Sequence, residues 1–161
     1  MGTLLGILSD SHSQVERTRR AIELLQQAGA TEFIHCGDVE IEQVLDLFAG
    51  LPAHVTFGNC DPSGALGRYA ASIDLDAQHP SGEVTMDGRR VAFTHGNNAR
   101  LVTRILADRP DFLLHGHTHE RRDDMVHGVR VINPGALHRA RPCTVALLEP
   151  ASGALRWLEV T

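Results

Sequence analysis

Short apolar runs alternate with polar clusters along the first third of the chain. Leu4-Leu5-Gly6-Ile7-Leu8 ends at Ser9-Asp10-Ser11-His12-Ser13, Glu32-Phe33-Ile34-His35-Cys36 at Gly37-Asp38-Val39-Glu40, and His54-Val55-Thr56-Phe57 at Gly58-Asn59-Cys60-Asp61. Runs of this length, bounded by turn-forming residues, predict buried strands. Between them the period changes. From Val15 to Ala28 the residues Ala21, Ile22, Leu24, Leu25 and Ala28 recur at helical spacing, with Gly29 placed as a C-cap glycine; Ile41, Val44, Leu45 and Phe48 mark a second helix. Strands alternating with helices predict parallel pairing through right-handed crossovers, which gathers the loops after the strands along one edge.

The second half reads differently. Pro62 to Ser81 holds no period and is expected to be a loop. Glu83-Val84-Thr85-Met86 and Arg90-Val91-Ala92-Phe93 flank Asp87-Gly88, a strong hairpin signal, and the second run leads into Thr94-His95-Gly96. A helix follows over Asn98 to Leu106, then the apolar run Phe112-Leu113-Leu114 and Gly116-His117-Thr118-His119. In an extended strand, residues two apart face the same way, so His117 and His119 are expected to aim at one cavity, with Gly116 letting the backbone turn. Two more antiparallel pairs, around His127-Gly128 and around Pro150 to Gly153, close the chain. The fold class is α/β, parallel at first and antiparallel later. A length of 161 residues with 42% hydrophobic content suits a single domain, 1–161.

Composition narrows the chemistry. A formal charge of −5 leaves no basic footprint for duplex nucleic acid. No apolar run approaches the roughly 18 residues of a membrane span, and Leu4 to Leu8 is too short for a signal peptide. Three cysteines, Cys36, Cys60 and Cys143, form no disulfide framework or Cys-x-x-Cys pair, so a reducing, cytoplasmic setting is expected. Ten histidines, several beside Gly, Asp or Asn, point to a histidine-ligated metal.

The polar residues after the apolar runs form a constellation: Asp10 and His12, Asp38, Asn59, His95, His117 and His119. Five loops drawn from most of the chain, without a cysteine pair, suit an open catalytic cluster rather than a closed structural zinc site. Seven ligands exceed one tetrahedral ion and suit two ions sharing a bridge, for which the Asp38 carboxylate is the natural group. Mixed Asp, His and Asn ligation favours manganese, iron, zinc, nickel or cobalt over magnesium. Two such ions about 3.5–4 Å apart can hold a hydroxide at neutral pH and neutralise phosphoryl oxygens.

Asp10-x-His12, Gly37-Asp38, Gly58-Asn59, His95-Gly96 and Gly116-His117-x-His119 resemble, in order, the five motifs of the calcineurin-like metallophosphoesterases. The short length and Asn133-Pro134-Gly135 resemble the small bacterial and archaeal phosphodiesterase branch. The resemblance implies two mixed β-sheets packed face to face with flanking helices, and a dinuclear site at the sheet ends. It implies that Asp10, His12, Asp38 and His119 hold one ion and Asp38, Asn59, His95 and His117 the other. Manganese leads the candidates, and Asp38, Asn59 and His95 are also counted as catalytic. The implied reaction is hydrolysis of a small phosphodiester by a hydroxide bridging the ions; small members of the branch often form homodimers, and no apolar edge in this sequence settles the oligomeric state. A phosphomonoesterase with the same site is the alternative. A protein-binding scaffold of the same fold, like the retromer subunit, is a third reading; a scaffold needs no complete ligand set, and this chain retains all seven positions.

There are departures. Many relatives carry His after the motif Asn, where it contacts phosphate; here Cys60 stands, as in the small branch, and a thiol protonates an alkoxide poorly. Gly37-Asp38-Val39-Glu40 lacks the Asp-Arg pair of larger relatives, which leaves Arg139 and Arg141 as candidates for gripping phosphate. Asp61 is read either as support for Asn59 or His95 or as a turn residue. His115 is expected to pack behind the site, and His35, His54, His79, His127 and His138 to be structural or at the surface. Singly, Ser9, Asp10 and Ser11 could cap the first helix, Asp38 could meet a helix dipole and Asn59 could serve a turn. Five ordered strand ends carrying these residue types argue for a site instead.

Overall fold

Both faces of the first strand are buried, and that sets the layering. In the computed structural model, which describes residues 2–161, β1 (Leu5–Leu8) sends Leu5 and Ile7 into one apolar cluster and Leu8 into another. A strand covered on both sides must be apolar throughout, which is why Leu4 to Leu8 reads as a continuous run. The same division recurs in β2 (Glu32–His35), where Phe33 and Ile34 point opposite ways.

The chain continues through α1 (Val15–Gln27) before β2, and α2 (Glu42–Asp46), β3 (Ala53–Val55), α3 (Ser63–Ser72) and β4 (Asp76–Ala77) after it. Then come β5 (Ser81–Met86), β6 (Arg89–Thr94), α4 (Ala99–Ala107), β7 (Phe112–Leu114), β8 (Arg121–Val126), β9 (Val129–Pro134), β10 (Cys143–Glu149) and β11 (Ala154–Val160). One sheet has the order β11-β10-β1-β2-β3-β4 and the other β5-β6-β7-β9-β8. β1 to β4 are parallel, with β10 and β11 antiparallel beside them; β6, β7 and β9 are parallel, with β5 and β8 antiparallel at the edges.

Leu5, Ile7, Ile34, Ala146 and Leu148 of one sheet meet Val91, Phe93, Phe112, Leu114 and Ile132 of the other between the layers. The first sheet's outer face is covered by α1 and α2 through Ala21, Ile22, Leu25, Val44 and Leu45. On the second sheet's outer face Val102, Ile105 and Leu106 of α4 lie over Ala92, Leu113 and Val131. This is the expected pair of mixed sheets with flanking helices. Asn98 caps α4 by accepting from the Leu101 backbone N–H at 3.1 Å.

Three expectations are corrected. Pro62 to Ser81 is not a loop: it contains α3 and β4, and enters the core through Leu66 and Ala70. The strand before Gly116 stops at Leu114, and His117 and His119 both adopt left-handed backbone (φ 70° and 61°), so strand alternation does not align them. Gly116 is required for space rather than for a turn: a Cβ there would stand 1.9 Å from Ser9 Oγ and 2.4 Å from Asp10 Oδ2.

Candidate metal centre

The parallel strands of both sheets end on the same side, so the loops after β1, β2, β3, β6 and β7 meet there. Backbone bonds lock them pairwise: Asp10 N to Gly37 O at 3.0 Å, His12 N to Asp38 O at 2.9 Å and Gly116 N to His95 O at 2.9 Å. Asp10, His12, Asp38, His117 and His119 all have positive φ, a concentration of backbone strain of the kind that clusters at functional sites.

Asp10 is fully buried. Its Oδ2 accepts from Ser9 Oγ at 2.6 Å and from the His117 backbone N–H at 3.0 Å, which turns Oδ1 inward. There Oδ1 has no hydrogen-bond partner, and lies 3.2 Å from His119 Nε2, 3.6 Å from His12 Nε2 and 4.0 Å from His95 Nε2. Asp38 accepts the Cys60 backbone N–H on Oδ1 at 2.9 Å, so its Oδ2 faces His95 Nε2 at 3.1 Å and His12 Nε2 at 3.5 Å. Each carboxylate therefore faces histidines from both sheets.

The histidines are oriented from behind. His95 Nδ1 donates to the Cys36 carbonyl at 2.9 Å, which aims Nε2 at the carboxylates; that atom is buried and unpartnered. His12 Nδ1 donates to Glu40, whose other oxygen accepts from Ser13 Oγ at 3.1 Å, leaving His12 Nε2 3.3 Å from His119 Nε2. An outer hydrogen bond that fixes a ring's tautomer is the usual support of a metal-ligating imidazole.

The electrostatics suit a cation. Burial pushes Asp10 up, but hydrogen bonds from His12 and Ser9 and the nearby His95 and His119 hold it below the ordinary carboxylate range. Asp38, likewise opposed by burial, is held down to about 2 by His95 and the Cys60 N–H. Asp10, then Glu40 and Asp38, raise His12 to about 9 against burial. Burial lowers His95, but Asp38 and Asp10 more than offset it. Two carboxylates thus favour positive charge on the neighbouring rings, a charge that a divalent cation would supply instead.

Of the seven sequence-derived ligands, five meet here. Asp10, His12 and His119 form one group whose ligand atoms lie within 4.8 Å of one another, and Asp10, Asp38 and His95 another. His117 stands at the exposed rim with its ring 5.2 Å from that of His95, and Asn59 is exposed with its amide on Cys60 Sγ at 3.6 Å. His12, Glu40 and Cys60 form a third group at the mouth. Arg139 and Arg141 lie outside the cluster, on a cleft that begins at His119.

Asp61 supports neither Asn59 nor His95 directly. Its carboxylate accepts from the backbone N–H groups of Asp38 at 2.8 Å, Glu40 at 2.7 Å and Gly58 at 2.9 Å, tying two site loops together. His115 is buried behind the site, as expected, donating from Nδ1 to the Gly116 carbonyl at 2.9 Å. Sequence reasoning missed Glu40 and Ser9, whose roles depend on loops brought together by folding. It also missed the placement of His138, whose ring lies 5.2 Å from that of His12.

His35 serves the loops rather than the cation. Its Nδ1 accepts from the Gly37 N–H at 3.1 Å, so Nε2 donates to Ser11 Oγ at 2.6 Å. Complete burial lowers it to about 4, from an ordinary 6.5. Because the folded value is depressed, its contribution is whole above pH 6.5 and fades as pH falls toward 4, by an amount on the order of 3 kcal/mol. Urea unfolding of metal-free protein between pH 7 and 4 should show this loss, and His35→Gln should flatten that part of the profile. An unchanged slope in the variant would assign it to other groups.

Residues 4–153 match the profile described as the calcineurin-like phosphoesterase superfamily domain. A phosphodiesterase of Methanocaldococcus jannaschii is 31% identical over 137 residues, covering 81% of this chain and 82% of the relative. A probable metallophosphoesterase of Bacillus subtilis is 28% identical over 142 residues, covering 84% and 75%. The solved structure of an archaeal phosphodiesterase superposes with a TM-score of 0.86 at 26% identity, over 98% of this chain and 100% of that one.

Proposed function

The chain belongs to the calcineurin-like phosphoesterase superfamily, and from that premise we propose that it is a metal-dependent phosphodiesterase acting on a small phosphate ester. The observation that carries the reading is the buried Asp10 Oδ1, without a hydrogen-bond partner, converging with Asp38 Oδ2 on the Nε2 atoms of His12, His95 and His119. Unpartnered buried polar atoms cost about 1–3 kcal/mol each. A divalent cation relieves that cost, so the residues fit the metal their family uses.

Two ions of the manganese, iron, cobalt, nickel or zinc type, when bound, would supply Lewis acidity toward phosphoryl oxygens and a nucleophilic water at neutral pH. Asp10, His12 and His119 would hold one; Asp38 and His95, with Asn59 and His117 from the rim, would hold the other. Asp38 Oδ2 faces His12 and His95 alike, which supports its reading as the shared ligand. Glu40 holds His12, and the Cys36 carbonyl holds His95, in the tautomers that present Nε2.

Cys60 supports the diester over the monoester reading. Partial desolvation and the nearby Asp38 and Glu40 raise the Cys60 thiol above the ordinary range. A neutral thiol neither attracts a dianionic monoester nor protonates a poor leaving group well. The protein should hydrolyse bis(p-nitrophenyl) phosphate with a higher kcat/KM than p-nitrophenyl phosphate, and Cys60→His should raise monoester turnover by about tenfold or more. Native preference for the monoester would replace this reading with the phosphomonoesterase. No gain in the variant would trace the leaving-group proton to water.

A further inference from the structure

A cleft of about 430 Å³ opens from His119 and Thr118 and is walled by Arg121, Arg139 and Arg141, with Glu120 the one carboxylate on it. The chain carries a net charge of −5, so three guanidiniums gathered on one cleft run against its overall sign. Arg19, Arg89, Arg90, Arg122 and Arg130 spend their charge on Asp or Glu. Arg121, Arg139 and Arg141 are among the arginines that no such ion pair engages among the described residues, and what sets them apart is that three of them share one cleft. Arg121 lies over the Trp157 ring, 5.7 Å from its centroid, which steadies the guanidinium without neutralising it. Arg139 (φ 50°) and His119 (φ 61°), both lining the cleft, adopt left-handed backbone.

We propose that this cleft binds a second phosphate group of the substrate, so that the natural substrate is a small phosphodiester carrying an additional terminal phosphate. The inference rests on the phosphodiesterase reading of the adjoining cluster. Guanidinium forks match phosphate oxygens, and three unpaired ones suit a dianionic terminal phosphate better than a singly charged carboxylate. The volume admits a phosphate with an attached sugar-sized group. No Phe, Tyr or Trp lines the cleft among the described residues, and its charged groups outnumber its one ring, that of His119. Since the cleft begins at His119, a diester phosphorus at the metal cluster and a phosphate among the arginines would belong to one molecule.

The test compares two chromogenic diesters with the metal-loaded protein: thymidine 5′-(p-nitrophenyl phosphate) and the same compound with a 3′-phosphate. The expected result is a kcat/KM about tenfold higher for the phosphorylated compound, a ratio that falls to about one in Arg139→Gln/Arg141→Gln and survives in Arg104→Gln, on α4 away from the cleft. Lack of preference in the native protein, or a preference that the double variant keeps, overturns the proposal. Equal loss on both compounds in the double variant also overturns it, because the arginines would then grip the reacting phosphoryl group itself.

A second arm is independent of turnover. Inorganic pyrophosphate titrated into metal-stripped protein in chelator should perturb the Arg139 and Arg141 side-chain resonances, with affinity falling about tenfold in the double variant; unaffected affinity overturns the proposal. If neither diester is hydrolysed while pyrophosphate binding depends on the arginines, the phosphodiesterase reading fails and the cleft assignment stands.

Discussion

Asp38→Asn is expected to remove bound metal and diester hydrolysis together, lowering kcat/KM by about 10³-fold or more. Loss of an outer partner of a metal ligand already costs about 10–100-fold, and a shared ligand should cost more. The substitution keeps the size and the Oδ1 acceptor for the Cys60 N–H, so the loop should persist. What changes is Oδ2, the atom 3.1 Å from His95 and 3.5 Å from His12, which loses its negative charge. Metal content by mass spectrometry, read beside the melting temperature, separates the effects. A variant that folds, binds a full complement of metal and retains activity would overturn the proposed bridging role of Asp38.

Gly116→Ala should be nearly as damaging, although it adds one methyl group and no charge. That methyl would overlap Ser9 Oγ and Asp10 Oδ2, and the Ser9 Cβ at 2.8 Å blocks retreat. Asp10 Oδ2 is the oxygen anchored by Ser9 and the His117 N–H, so moving it swings Oδ1 away from His12 and His119. Overpacking of this kind costs about 1–3 kcal/mol. The site should lose more: metal affinity is expected to drop by about 100-fold, measured by chelator competition. Native affinity in a variant of native stability would mean that the loop can shift without disturbing Asp10.

The part of this site legible in the sequence was the part written at strand ends. Asp10, His12, Asp38, His95 and His119 each follow an apolar run, and parallel strands must release their loops on one edge. The supporting contacts were less legible because they pair residues far apart in the chain. Glu40 on His12 and Asn133 on the Gly116 carbonyl at 3.1 Å have no local pattern to announce them. The geometry expected for two of them was wrong: His117 and His119 lie beyond the end of β7, and left-handed backbone places them.

The fold shows the same boundary. Paired runs flanking Asp87-Gly88 and His127-Gly128 gave their hairpins away through turn chemistry. α3 stayed hidden because Gly64 and Gly67 interrupt it and because only Leu66 and Ala70 reach the core, too narrow an apolar stripe to set a period. Its helicity comes from packing, which a local reading of residues does not contain.

The measurement closest to the central claim is a metal titration of the stripped protein, following ions bound per chain and turnover of bis(p-nitrophenyl) phosphate in the same samples. Manganese, nickel, zinc, iron, cobalt and magnesium would each be added in turn. The account predicts two ions per chain, with turnover rising as the second site fills and magnesium the weakest activator. Two bound ions without turnover by any of them would contradict the enzyme and favour a scaffold that has kept its ligands; turnover by fully stripped protein would contradict the metal centre.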